Sequence, residues 1–368
     1  MAGEAGPVIG VVEAFSARYD QARVKFLEGA ARAGLAISAL PHPLQGPQGE
    51  DLAIDVARDG PPDAERLLIV TSACHGVEGH CGSGVQVFAL HDQEWRDKAH
   101  AAGVAVLYVH ALNPYGFAYT RRVTHENVDL NRNFQDFRQP LPVNTAYGEV
   151  HALMLPATWP PTPQNTAAVA DYVARHGATA LQAAVSRGQH AFADGMFFGG
   201  TAPTWSNLGW RQVLRAQGRA ARRLAWIDLH TGLGPNGIGE RIFACRDDAA
   251  ALQRARSWWG DGVTSIYDGS STSAFLTGMA FQAVYDECPQ AEYTGLALEF
   301  GTLPFDEVNL ALRADHWLHH HPEAPAAQAA RIKAQLRAAF YSDTDAWKGQ
   351  IISQARQAMF QAVDGLAG

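Results

Sequence analysis

Residues suited to metal binding and proton transfer stand at or just past the ends of four apolar runs in this sequence. His75 and Glu78 follow Leu67–Val70, within Ala73-Cys74-His75-Gly76-Val77-Glu78-Gly79. His230 closes Ala225-Trp226-Ile227-Asp228-Leu229, and Glu299 closes Gly295-Leu296-Ala297-Leu298. The fourth run, Val104–Val109, leads to Asn113-Pro114-Tyr115-Gly116 and then to Asn127-Val128-Asp129-Leu130-Asn131-Arg132-Asn133-Phe134. Two imidazoles and a carboxylate can hold a zinc ion with one position left open, and a further free carboxylate can take a proton from water there. Such chemistry is hydrolytic.

The elements that must position these residues follow from the same runs. Near-continuous apolar stretches are the pattern of strands buried on both faces, in a sheet covered by helices. Ligands of open α/β sheets gather at the C-terminal strand ends, where the residues above lie. Leu52, Ile54 and Val56 alternate with Asp51, Ala53 and Asp55, which predicts a strand with one wet face. Val11, Val12, Phe15, Tyr19 and Phe26–Leu27 predict an amphipathic helix over residues 8–33. Six prolines between Gln139 and Gln164 predict a long loop, either a lid or an insertion. The tail reads as two helices. In the second, Trp347, Ile351, Ala355, Met359 and Val363 form a stripe that either packs on the core or makes a dimer contact, with Ser342 and Asp345 spaced as a capping box.

With 47% hydrophobic and 18% charged residues, the 368-residue chain has material for a large core, which argues against disorder. A net charge of −8 and a pI near 6.0 argue against nucleic acid or an anionic membrane surface as partner. The start, Met-Ala-Gly-Glu-Ala-Gly-Pro, has no basic end and no apolar core of a signal, and no stretch is long enough to span a bilayer. The few cysteines, Cys74, Cys81, Cys245 and Cys288, suggest reduced thiols in a cytoplasmic protein. Oligomeric state is left open.

A His-x-x-Glu match alone carries little weight, because three occur among 15 histidines, at His75, His91 and His320. Only the first is flanked by glycines and preceded by a buried strand. Cys74 reads as a small buried residue rather than a ligand. His316, His319, His320 and His321 read as a solvated face. Gly232–Gly237 lacks the lysine of a phosphate loop, and no nucleophile elbow supports serine chemistry.

Taken jointly, these strings resemble the zinc carboxypeptidases of the carboxypeptidase A-like family, and most of all its bacterial branch described as a domain of unknown function. The strings are His75–Gly79, Asn113–Gly116, Val128–Phe134, Asp228–Gly232 and Glu299–Thr302, joined by Gly199–Asn207, and they run in the family's order from about residue 65 to 305. The resemblance implies an α/β three-layer sandwich with a mixed, mostly parallel sheet of about eight strands flanked by helices. It implies a catalytic domain over residues 1–310 and a helical extension, 311–368, packed on it. One zinc ion would be held by His75, Glu78 and His230, a ligand set of the type known for carboxypeptidase A. Glu299 would be the general base and Arg122, rather than its neighbour Arg121, would stabilise the oxyanion. Asn131 and Arg132 would grip a substrate carboxylate, and Asp129 would orient His75.

Two departures stand out: Val77 replaces a basic residue common inside His-x-x-Glu, and Tyr115 replaces an acidic one in Asn-Pro-Asp-Gly. The family's mobile tyrosine has only Tyr267 and Tyr285 as candidates. Phe197, Phe198 and Trp205 either line a specificity pocket or pack in the core. The expected activity is zinc-dependent hydrolysis of an amide beside a free carboxylate, with a peptide as substrate. The alternatives are an N-acyl amino acid deacylase of the aspartoacylase or succinylglutamate desuccinylase type, and a zinc-binding scaffold without catalysis.

Overall fold

A computed structural model describes residues 9–368. Met1–Val8, and with them the expected absence of a signal and the first residue of the expected helix, lie outside the described residues. Eight strands form one sheet: β1 (Ala36–Gln45), β2 (Asp51–Asp59), β3 (Arg66–Thr71), β4 (Ala105–His110), β5 (Arg223–Asn236), β6 (Gly239–Phe243), β7 (Val263–Thr264) and β8 (Glu292–Gly301). Their order is β1-β2-β4-β3-β5-β8-β6-β7. The pairings β3/β4, β3/β5, β5/β8 and β6/β7 are parallel, and β1/β2, β2/β4 and β6/β8 antiparallel. The sheet is therefore mixed, as the resemblance implies.

β3 and β4 are buried along almost their whole length, which is why their sequences show no alternation. Helices cover both faces. On one, Trp226 of β5 meets Trp210 of the helix Trp205–Gln217, with ring centroids 5.7 Å apart. On the other, the helix Gly79–His91 comes so close at Gly82 that an added Cβ would sit 3.4 Å from Leu229. Register places Thr71 beside Asp228, and His230 beside Glu299, so one sheet edge carries residues from three strands. No helix among the described residues is long and apolar enough to cross a membrane.

Several expectations are corrected. The helix over 8–33 is two, Val11–Ala14 and Tyr19–Arg32. Phe15 becomes extended and buried, and the Lys25 ammonium donates to the Glu13 and Phe15 carbonyls at 2.7 Å, so the break leaves those acceptors satisfied. β2 has no wet face. Asp55 is 1% exposed and takes two hydrogen bonds from Arg23, while Asp59 pairs with Arg96 and His100. The proline-rich segment contains a ten-residue helix, Thr145–Met154, capped by Asn144, and the second tail helix is capped by Thr344 rather than Ser342. The 310/311 division falls inside the helix Phe305–His320. The helices Ala326–Phe340 and Asp345–Ala367 follow it, and Trp347, Ile351, Met359 and Val363 belong to the main core.

Candidate metal centre

β3 delivers the chain into a single turn of 3-10 helix, Gly76–Glu78, that brings His75 and Glu78 together. Its amides are held from the Asn113–Arg122 side. Gly76 N–H donates to the Arg122 carbonyl at 3.0 Å and Val77 N–H to that of Arg121 at 2.8 Å. A Cβ at Gly76 would overlap the Gly116 backbone, so this contact requires glycine. The same hydrogen bonds fix Arg122 above the turn.

The three expected ligands converge. His75 Nδ1 lies 2.9 Å from Glu78 Oε1, and His230 Nδ1 lies 3.0 Å from Glu78 Oε2. The donor atoms of His75, Glu78 and His230 lie within 4.8 Å of one another, all on buried residues. Their far sides are anchored too. His75 Nε2 lies 3.2 Å from Asp129 Oδ1, and His230 Nε2 2.7 Å from Asp228 Oδ2. Both Nδ1 atoms thus face Glu78, where a metal ion would take their lone pairs; Asp228 favours a proton on His230 Nε2, while His75 Nε2 meets Arg122 Nη2 at 2.9 Å as well as Asp129. This donor set fits a divalent ion such as zinc.

Asp228 was not among the residues singled out from sequence. It is oriented in turn by Thr71, whose hydroxyl donates at 2.5 Å and itself accepts from Trp226 Nε1 at 2.8 Å. Cys74 also lies within reach of Asp228 and His230, but burial, with Asp228 nearby, pushes its thiol well above the ordinary range. That disfavours the thiolate a metal would need.

The electrostatics separate the acids. Burial would raise Glu78, but His75 and His230 outweigh it and hold its carboxyl well below the usual range. Burial would likewise raise Asp129, yet Arg122, Arg132 and His75 hold it low. Arg122 donates to Asp129 Oδ2 at 2.9 Å and to Glu78 Oε1 at 3.3 Å. Burial would lower His230, but Asp228 and Glu78 raise it well above its ordinary value. Glu299 differs from the other acids. Burial, then the charge of Glu78, pushes it up to about 8, and among the described residues its carboxylate accepts one hydrogen bond, from Leu233 N–H at 3.1 Å.

One cavity is lined by His75, Glu78, His230, Glu299, Arg122, Asn131 and Arg132, with Asp129 buried behind. Asn131 and Arg132 are partly engaged already. Asn131 Oδ1 accepts from Ala280 N–H at 2.8 Å. Arg132 donates from Nε and Nη2 to the Ser186 carbonyl (3.1 and 2.6 Å) and from Nη1 to the Asn131 carbonyl (2.9 Å). Two of its five N–H groups remain, one on each Nη, and no carboxylate contacts them among the described residues. Burial lowers this guanidinium to about 10, against the pull of Asp129.

Phe197 lines the cavity and lies 4.9 Å from the Arg122 guanidinium, whereas Phe198 and Trp205 are not part of the wall. Arg121 points elsewhere, to Asp315 and His319. The Tyr267 hydroxyl donates to the Cys245 carbonyl and that of Tyr285 accepts from Arg246 N–H, so both are occupied outside the cavity. Among the described residues the His316–His321 group gathers no metal-binding cluster, and His316 is buried rather than solvated, with Nε2 2.6 Å from the Asp194 carbonyl.

No curated protein matches the sequence. Among solved structures, the chain aligns with a candidate metallopeptidase of Shewanella denitrificans OS217 (14% identity, TM-score 0.38, covering 82% of this chain and 89% of that one). It also aligns with the carboxypeptidase A of Helicoverpa armigera (12%, 0.44, 90% and 75%) and with thrombin activatable fibrinolysis inhibitor (12%, 0.47, 89% and 78%). A family model described as a protein of unknown function, DUF2817, matches residues 15–354, and the chain belongs to that family.

Proposed function

We propose that this chain is a zinc-dependent hydrolase that cleaves an amide bond next to a free carboxylate, in the manner of a carboxypeptidase. The supporting observation is that His75 Nδ1, His230 Nδ1 and Glu78 converge in the same cavity as a carboxylate outside that set, Glu299, and a buried arginine, Arg132, whose two remaining N–H groups meet no carboxylate among the described residues. When bound, zinc would supply a Lewis acid that polarises the amide carbonyl and lowers the pKa of water to about 7.

The chain's own residues do the rest. The end-on fork of Arg132 and the amide of Asn131 hold the substrate carboxylate, which fixes the scissile carbonyl against the three ligands. Arg122, already paired with Asp129 and Glu78, presents positive charge to the oxygen of the tetrahedral intermediate. Glu299, aligned by Leu233 N–H, takes a proton from the attacking water and delivers it to the departing amine. A cation beside Glu78 opposes the repulsion that keeps Glu299 protonated, so loading the site favours the basic carboxylate.

The test is a mass-spectrometric screen of zinc-loaded protein against peptides and N-acyl amino acids. Metal removal and Glu299→Gln should each abolish turnover, and turnover within tenfold of wild type in either case refutes the mechanism.

A further inference from the structure

The cavity is lined by parts of two separate apolar clusters as well as by the polar groups of the centre. One wall belongs to the cluster of Ile242, Ile266 and Leu276, with Met279 and Ala297 packed against it. It lies on the carboxylate-binding side, because the same loop supplies Ala280 N–H to Asn131 and the Gly278 carbonyl to Phe134 N–H. The second wall is formed by Val308 and Phe340, with Leu312 against them, from the helices Phe305–His320 and Ala326–Phe340. It adjoins the metal ligands directly. The Phe340 ring lies on the Gly232 backbone, where an added Cβ would sit 2.7 Å from it, and the Phe340 carbonyl accepts from the Thr231 hydroxyl at 2.6 Å. Thr231 N–H donates to Glu78, and Leu233 N–H to Glu299.

Every ionisable side chain lining the cavity has a place in the centre described above: His75, Glu78, His230 and Glu299, Arg122 and Arg132, and Asp228 behind His230. Neither apolar wall offers a counter-charge to an ammonium or carboxylate placed against it. An unpaired charge buried there is strongly disfavoured, whereas each methylene gains binding.

We infer that the substrate is apolar on both sides of the scissile bond, with its acyl group against Leu233, Val308, Leu312 and Phe340 and the leaving amino acid's side chain against Ile242, Ile266, Leu276 and Met279. The orientation rests on the function proposed above; the polarity of the two walls does not. The fitting class is an N-acyl derivative of an apolar amino acid whose acyl group is itself a hydrocarbon, or a peptide whose last two residues are apolar.

The experiment is calorimetric binding to the full-length Glu299→Gln protein, with and without zinc, so that affinity is read without turnover. Ligands are N-hexanoyl-, N-acetyl- and N-succinyl-phenylalanine, N-acetyl-leucyl-phenylalanine, N-hexanoyl-lysine and N-hexanoyl-glutamate. At about fourfold per buried methylene, hexanoyl-phenylalanine should bind at least about tenfold tighter than its acetyl and succinyl counterparts. It should exceed the lysine and glutamate ligands by a similar factor. A stronger acetyl-leucyl than hexanoyl ligand marks peptide as the source, and the reverse marks a free acyl chain. Leu312→Lys, at a partly buried position, should shrink the hexanoyl-to-acetyl ratio at least about fivefold. Equal affinities, tighter succinyl or charged ligands, or no binding of any hexanoyl ligand overturns the inference. An apolar preference in binding with no hydrolysis of any ligand by zinc-loaded wild type would instead sink the hydrolase reading and leave this one standing.

Discussion

Glu299→Gln should remove catalysis and yet stabilise the metal-free protein at high pH. Glu299 is 8% exposed, and burial beside Glu78 raises it from 4.5 to about 8. A carboxyl held up in the folded state contributes stability that is fully present below its unfolded value and is lost as pH rises through its folded value. Metal-free protein should therefore lose stability progressively from about pH 4.5 to pH 8 on account of this one group. At ~1.4 kcal/mol per pH unit, the interval sets an upper bound of about 5 kcal/mol. Relaxation around the charge reduces that, so a few kcal/mol is the expected size. Glutamine keeps an oxygen for Leu233 N–H and never ionises. Urea unfolding in a chelator, for wild type and variant at pH 5 and pH 9, measures the difference directly. The variant should match wild type within about 1 kcal/mol at pH 5 and exceed it by ~2–4 kcal/mol at pH 9. Other titrating groups are common to both proteins and largely cancel. Parallel pH profiles would show that Glu299 ionises normally and that the cavity is wetter than its burial implies.

Two further substitutions probe how the centre is held. Asp228→Asn leaves a hydrogen-bonding group near His230 but removes the charge that fixes its tautomer, so zinc affinity should fall about 10- to 100-fold in chelator competition. Unchanged affinity would make Asp228 a core residue only. Gly76→Ala forces a methyl into the Gly116 backbone and should destabilise by about 3 kcal/mol or more in urea, with zinc binding weakened alongside. A variant of wild-type stability would mean that the turn and the Asn113–Gly116 segment do not pack as described.

The parts of the fold that were legible are those where burial acts on consecutive residues. β3, β4, β5 and β8 are covered on both faces, and unbroken apolar runs record that directly. β1 left no such record. It is an edge strand, exposed at most positions, and carries Pro41 and Pro43. β2 was misread because its aspartates find Arg23, Arg96 and His100 through tertiary contacts rather than water, and a local pattern contains no partners. The helix Thr145–Met154 did leave a signal, with Asn144 as cap and Tyr147, Val150 and Met154 on one buried face, but the surrounding prolines outweighed it. Asp228 had a signal as well. Residues two apart on a strand share a face, so a carboxylate two before His230 belongs beside it. Inside an apolar run it reads as an interruption, and only Thr71, 157 positions away and itself held by Trp226, shows why it is tolerated.

The charge balance of the centre gives one more prediction. Four buried carboxylates, Glu78, Asp129, Asp228 and Glu299, face two guanidiniums, Arg122 and Arg132, within or just behind one cavity. With imidazoles neutral, the group carries two excess negative charges, the number a divalent cation supplies. In the metal-free protein the raised values of Glu299 and His230 perform the same compensation with protons, one on each. Zinc needs the Nδ1 lone pair of His230 and repels the proton on Glu299, so binding should expel about two protons at pH 7. Titration calorimetry in buffers of differing ionisation enthalpy counts them. Wild type should release about two, and Glu299→Gln about one, because glutamine has none to give. Release of less than one proton by wild type, or equal release by both proteins, would mean that the centre is not neutralised in this way. The match between its excess charge and a divalent ion would then be fortuitous.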